Sequence, residues 1–244
     1  MKALHGTIGM TDFVLVHGAW HGAWCWRKIL PSLWAKGDRA FAVTLTGVGE
    51  REHLMSSSIR LATHIDDVVS VIEKEELARL VLVGHSYAGL LITAVADRYA
   101  ERIVRLVYLD AIIPHSGESW SSSHDESARQ ARRADIARDG VIPPPPASAF
   151  GLTGEDAVWV DRRQKPHPGG VYEDVLQFDE ARVARLPRTF VDCTSPALPT
   201  IEKSRQRVRS EPGWKVIEIA TGHDPMISAP TQLLDILHQA GRSN

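Results

Sequence analysis

Two short runs, 13–16 (FVLV) and 80–83 (LVLV), contain no polar side chain on either side of the pleat, and each halts where glycine meets histidine, at His17-Gly18 and Gly84-His85. Successive strand residues point to opposite faces. A run that is apolar throughout therefore needs cover on both faces, as a strand inside a parallel sheet has. The same reading extends to 39–45 (RAFAVTL), 103–109 (IVRLVYL), 189–193 (TFVDC) and 215–219 (KVIEI). Between these runs the apolar period lengthens. Residues 24–36 carry Trp26, Ile29, Leu30, Leu33 and Trp34 at helical spacing and stop at Gly37. From Thr63, a candidate helix cap with Asp66 three residues on, Ile65, Val68, Val69 and Ile72 form one face. Further helices are predicted over 90–98, 201–208 and 231–240. Strands and helices in alternation predict an α/β fold, a mostly parallel sheet covered by helices on both faces.

The alternation breaks after Pro114. Residues 115–182 hold a serine-rich, charged stretch (SWSSSHDESARQARRADIARDG), then the four prolines 143–146, and show no two-residue period. This segment reads as a mainly helical insertion, a lid over the core. The core is assigned to 10–114 and 183–244. Residues 1–9 are read as a disordered extension, because Met10-Thr11-Asp12 looks like a second start. The 28 basic and 30 acidic residues give a net charge of −2, which supplies no electrostatic drive toward nucleic acid or an anionic membrane. The arginines of 129–138 and 203–209 are read as solvated helix faces. Cys25 and Cys193 provide neither a disulfide framework nor metal-ligand spacing and are read as buried thiols in a reducing compartment. No apolar run reaches the length of a membrane span, and the N-terminal residues are too short in apolar content for a secretory signal, so the expected location is cytoplasmic. A homodimer is the alternative to a monomer that the sequence leaves open.

In a sheet of this kind, loops at the carboxyl ends of the strands converge along one edge, where sites form. Ser86 lies at such an end, in Gly84-His85-Ser86-Tyr87-Ala88-Gly89, between a strand and a helix. Small residues at 84, 88 and 89 allow the tight turn that exposes a serine hydroxyl, although the strict G-x-S-x-G pattern has Ala88 in its last place. A serine needs a base and an orienting acid to act as a nucleophile. His223, on the glycine-containing loop after the last strand, is the candidate base. Asp110, which ends 103–109, is the favoured acid; Asp192, inside 189–193, competes with it, and Asp224 is a remote third. Backbone N–H groups of Tyr87, at the helix N-terminus, and Ala19, in the loop after the first strand, are the candidate oxyanion donors. His17, Trp20, Trp120 and Trp159 are the candidate substrate contacts, with packing of the lid as the alternative role for its aromatics. His17 and His21 lie four apart, but no third ligand is near, so neither a metal nor a cofactor is expected.

The stretches FVLVHGAWHGAWCW, LVGHSYAG, LVYLDAIIP, FVDCTSPALPT and GHDPMISAP together resemble the α/β-hydrolase superfamily, and within it the plant methylesterases, salicylate-ester esterases and hydroxynitrile lyases with their bacterial relatives. The resemblance implies the α/β-hydrolase fold, serine chemistry, a lid and a small-molecule ester as substrate. In the plant members the acid follows the strand that TFVDCTSP resembles, two to four residues past the cysteine. Here those places hold Ser195, Pro196 and Ala197. Haloalkane dehalogenases of the same superfamily carry their acid where VYLDAIIP places Asp110, which strengthens that choice. The hydroxynitrile lyases place a lysine after the catalytic histidine, and this chain has Asp224. The reading is therefore a serine carboxylic ester hydrolase acting on a small apolar or aromatic ester, with a lyase or a ligand-binding receptor on the same fold as alternatives.

Overall fold

The computed structural model describes residues 11–242, so the extension expected over 1–9 lies outside the described residues. In chain order the strands are β1 (Asp12–Val16), β2 (Arg39–Val43), β3 (Leu80–His85), β4 (Ile103–Leu109), β5 (Val141–Ile142), β6 (His167–Pro168), β7 (Arg188–Cys193) and β8 (Trp214–Ile219). Six of them form one sheet in the order β2-β1-β3-β4-β7-β8, parallel throughout. The helices are α1 (Leu30–Ala35), α2 (Leu61–Lys74), α3 (Ala88–Arg98), α4 (Glu126–Asp139), α5 (Gly154–Asp161), α6 (Glu180–Ala184), α7 (Glu202–Ser210), α8 (Pro225–Ser228) and α9 (Pro230–Arg242).

The wholly apolar runs are explained by where alternate residues go. Val14, Val16, Leu80, Leu82, Leu106 and Tyr108 pack into one core with Ile65, Val68 and Ile72 of α2 and Leu91 and Val95 of α3. Phe13, Leu15, Val81, Val83, Val107 and Leu109 pack into a second core with Leu33 of α1 and Leu233 and Leu237 of α9. β1 and β3 are thus covered on both faces, whereas β8, at the sheet edge, exposes Lys215 and Glu218, so the full cover expected of 215–219 is not found there. At about 25 cal/mol per Å² of apolar surface removed from water, burial on both faces is the main force holding the sheet centre.

Three local expectations change. The helix predicted over 24–36 is split into a 3-10 turn, Ala23–Lys28, and α1, because Pro31 has no N–H to extend an earlier helix. Thr63 is not the cap of α2: Arg60 is, and the Thr63 hydroxyl accepts the Arg60 N–H at 3.1 Å. The 115–182 segment is helical in α4 and α5 but also contains the antiparallel pair β5 and β6, whose two residues each are too few to show a period.

One close approach fixes the motif that departs from G-x-S-x-G. A Cβ added to Gly89 would lie 1.9 Å from the Ile112 carbonyl oxygen, because the chain leaving β4 crosses directly over the start of α3. Ala88 is buried without such a conflict, so the glycine the turn needs has moved one place along. Gly89→Ala is expected to cost about 3 kcal/mol or more, above the usual overpacking range because the obstacle is backbone; a shift in the denaturant midpoint measures it.

Candidate active site

The strand β3 runs into α3 through a single strained residue. Ser86 has φ of 56°, in the left-handed region that a side chain rarely adopts. Three backbone bonds hold it there: Ser86 N–H to Leu109 O at 3.2 Å, and Ile112 N–H and Gly89 N–H to Ser86 O at 3.0 and 3.1 Å. Gly18 closes the turn from the other side, since a Cβ there would sit 2.7 Å from the Ser86 Cβ. The result is a hydroxyl turned out of the sheet at its carboxyl edge.

Beyond β8, the loop 220–224 brings His223 to that hydroxyl. The His223 N–H bonds to Phe150 O at 2.9 Å, and a Cβ on Gly222 would meet the same oxygen at 2.2 Å, so the 115–182 segment grips this loop by its backbone. The ring lies between two partners. Asp110 Oδ2 is 2.7 Å from Nδ1, and Ser86 Oγ is 2.8 Å from Nε2. A carboxylate accepts, so Nδ1 carries the proton and Nε2 is left to accept from the serine. Asp110 is fully buried with φ of 39°, another strained residue at a strand end.

Its other oxygen, Oδ1, accepts from Arg205 NH2 at 2.9 Å, and the Arg205 Nε donates to Asp192 Oδ1 at 2.6 Å. Arg205 is 5% exposed. Reading the 203–209 arginines as a solvated face therefore fails at this residue, because α7 packs its Arg205 edge against the sheet between two buried carboxylates. Asp192 is also bound by Arg209, while the His223 ring nitrogens are bonded to Asp110 and Ser86. No spacing in the sequence announces this bridge: the two partners of Arg205 lie 95 and 13 residues away.

The loop after β1 is clamped by the pair β5 and β6. Trp20 has φ of 66°, and its Nε1–H donates to Ile142 O at 3.0 Å while its O accepts from Lys165 N–H at 3.0 Å. Ala19, one residue back, is buried beside Gly18 and so lies close to Ser86. Tyr87 and Ala88 precede the first intrahelical bond of α3, Gly89 N–H to Ser86 O, so their amides sit at the positive end of the helix.

A cavity of about 190 Å³ opens over the hydroxyl. Trp20, Ile112, Trp120, Phe150, Leu198 and Ile201 give it an apolar wall, Ser86 and His223 its floor, and Ser123, His124, Arg132 and Thr200 its polar points. Two of the expected substrate contacts are elsewhere. His17 is fully buried with both ring nitrogens committed to backbone, Nδ1–H to Gly18 O at 2.7 Å and Nε2 accepting Leu45 N–H at 3.1 Å. Burial pushes its pKa down to about 3, so it is a neutral structural ring. Trp159 packs into the second core against Trp24, with the Arg27 guanidinium 3.8 Å from its ring centroid, because α5 lies over that face of the sheet.

A second group of ionisable residues lies behind the first. Asp224 is fully buried, with Oδ2 3.3 Å from His21 Nε2, and His21 Nδ1 is 2.8 Å from Ala19 O. Both His21 nitrogens face acceptors, so the ring is an imidazolium. Burial opposes its charge, but the Asp224 carboxylate outweighs that and raises its pKa above the usual 6.5. Burial likewise opposes the charge on Asp224, and His21 nonetheless holds it at about 2. His85 Nε2–H donates to His223 O at 2.9 Å, tying this group to the loop that carries His223. Among the described residues no cluster of His, Cys, Asp or Glu is arranged to hold a metal ion, and no helix is long and apolar enough to cross a membrane. Cys25 and Cys193 are buried and unpaired.

Comparison with known proteins agrees with the architecture. A carbendazim hydrolyzing esterase from Nocardioides sp. is 37% identical over 242 residues, covering 95% of this chain and 100% of that one. Methylesterase 3 of Arabidopsis thaliana is 27% identical over 92% of this chain and 93% of its own. Among solved structures, an extracellular alpha/beta-hydrolase from a Paenibacillus species superposes with a TM-score of 0.83 at 20% identity, covering 96% of this chain and 100% of that one. With residues 13–236 matching it, this chain belongs to the alpha/beta hydrolase family.

Proposed function

We propose that this chain hydrolyses esters through an acyl-enzyme on Ser86. The observation that carries the reading is the unbroken relay from Asp110 through His223 to Ser86, with both bonds under 3 Å. His223 Nε2 takes the Ser86 proton as Oγ attacks the ester carbonyl; the imidazolium then gives that proton to the departing alkoxide, leaving an acyl-serine and a free alcohol. A water, deprotonated by the same nitrogen, cleaves the acyl group. Asp110 keeps the proton on Nδ1 throughout and stabilises the imidazolium. The amides of Ala19 and Tyr87 are assigned to the oxyanion, Tyr87 with the field of α3 behind it.

The wall of Trp20, Trp120 and Phe150 favours a small aromatic or apolar ester. A cavity of roughly 150 Å³ accepts a benzene ring, so about 190 Å³ takes one ring with short substituents. The 115–182 segment, which supplies Trp120, His124, Arg132 and Phe150 to that cavity, acts as the lid. Cyanohydrin cleavage is disfavoured, because the residue after His223 is Asp224, a buried carboxylate paired with His21, where an ammonium is needed to receive cyanide.

A fluorophosphonate probe is expected to label the wild-type protein and to leave Ser86→Ala unlabelled, with hydrolysis of short aryl esters falling by about 10⁴-fold or more in that variant. Labelling that persists in Ser86→Ala, or a protein that binds esters without turning them over, would remove the esterase assignment in favour of another serine or a receptor.

A further inference from the structure

The lid helix α4 carries four arginines, and three are paired with carboxylates on the outer surface: Arg129 with Glu126, Arg133 with Glu173, and Arg138 with Asp135 and Asp139. Arg132 turns inward. Its guanidinium carbon lies 5.1 Å from the Trp20 ring centroid and 5.9 Å from that of Trp120, over the cavity that holds Ser86 and His223. Its Nε is buried with no hydrogen-bond partner, and it forms no ion pair among the described residues. The cavity lining includes no Asp or Glu; of its two histidines, His223 is bonded between Asp110 and Ser86, and His124 is held neutral by burial and by the Arg132 charge, with a pKa of about 4. His167, Tyr172 and Asp135 are further ionisable neighbours; His167 is held well below 6.5 chiefly by burial and is neutral, the Tyr172 hydroxyl is neutral, its pKa raised to about 12 chiefly by burial, and Asp135 is occupied by Arg138.

Two indoles favour a cation between them, but they leave the in-plane N–H donors of the guanidinium unused. Those donors form a planar fork that matches a carboxylate in two parallel bonds. We propose that Arg132 is a specificity residue that recognises a carboxylate at the far end of the substrate, so that the preferred substrates are half-esters of aromatic or short dicarboxylic acids, with the ester end at Ser86 and the free acid under α4. The proposal rests on the reading of this cavity as the ester site. It adds an anionic requirement to what the aromatic wall alone implies.

The test compares monomethyl terephthalate with methyl 4-methylbenzoate, which has the same ring and ester but no charge. Binding is measured by calorimetry in Ser86→Ala and turnover in the Ser86 protein. The half-ester is expected to bind about 10- to 100-fold tighter, the range for hydrogen bonds to a charged group. Arg132→Gln, made in the same background, should collapse that ratio to near one, and Arg132→Lys, which keeps the charge but loses the fork, should retain part of it. Equal binding of the two esters overturns the proposal, as does a preference that survives Arg132→Gln; neither touches the esterase reading if turnover persists. A preference that depends on Arg132 in a protein that hydrolyses neither ester upholds Arg132 and removes the esterase reading. Should Arg132→Gln fail to fold, the ratio in Arg132→Lys decides: undiminished selectivity counts against the fork.

Discussion

Asp110→Asn is expected to lower kcat by about 10³ to 10⁴, the loss that follows when a triad histidine is left in the wrong tautomer. The surroundings of Asp110 say why an amide fails there. Oδ1 faces the donors Arg205 NH2, at 2.9 Å, and Cys193 N–H, at 3.4 Å, while Oδ2 faces His223 Nδ1. An asparagine in this place must turn its oxygen to Arg205, which has only hydrogens to offer, and its NH₂ to His223. Nδ1 then becomes the acceptor, the proton moves to Nε2, and Ser86 loses its base. Asp192→Asn meets no such conflict at the histidine. It weakens the bonds to Arg205 and Arg209 and is expected to cost about 1–3 kcal/mol of stability with kcat changed less than about tenfold. Steady-state kinetics on both variants, with a denaturation curve for each, separates the roles; equal losses of kcat, or the reverse order, would transfer the acid to Asp192.

This pair of aspartates also marks how far the sequence could be read. The strand ends are legible because a run buried on both faces has one composition and a strand-to-helix turn another, so the positions of Ser86, Asp110 and His223 along the sheet edge follow from pattern. Arg205 is not legible. A helix face rich in arginine looks the same whether it meets water or two buried carboxylates, and only the fold sets α7 against the ends of β4 and β7. The same blindness to direction covers the aromatic residues. Trp120 and Trp159 stand in similar helical surroundings, yet α5 delivers Trp159 to the second core while the turn before α4 delivers Trp120 to the cavity. The partner of Asp224 is equally invisible in the sequence: His21, which faces its Oδ2 at 3.3 Å, lies 203 residues away on the loop after β1.

Buried histidines lead to the second large effect, a loss of folding as the pH falls from 6.5 toward 4. His17, His64 and His124 have folded pKa values of about 3, 4 and 4, lowered first by burial, and His85 and His167 are likewise held well below 6.5 by burial. Each is neutral when folded. The unfolded chain binds these protons from about pH 6.5 downward and the native state does not, so stability present above 6.5 is lost as the pH drops toward the folded values. At pH 5 a histidine depressed to 4 or below has lost about 2 kcal/mol, and the three with pKa values of about 3 to 4 together about 6 kcal/mol, comparable with the whole stability of many domains. His21 does not offset this. Its folded pKa is raised, so its contribution is already complete below 6.5 and is lost only as the pH rises through the folded value. Asp224 and Glu118, both near 2, keep their contributions until the pH drops below about 4. The transition is therefore expected to begin above the carboxylate range, with the thermal midpoint falling by more than about 10 °C between pH 7 and pH 5. His64 is the position to probe, because its ring spans the Tyr87 hydroxyl, at 3.1 Å, and Thr46 O, at 2.9 Å, and a neutral glutamine can replace part of that bridge. His64→Gln should lower the midpoint at pH 7 and flatten its slope with pH. A midpoint that stays level from pH 7 to 5 in the wild-type protein would mean that these rings take up protons in the folded state at the same pH as in the unfolded chain, and would remove the assignment of depressed pKa values.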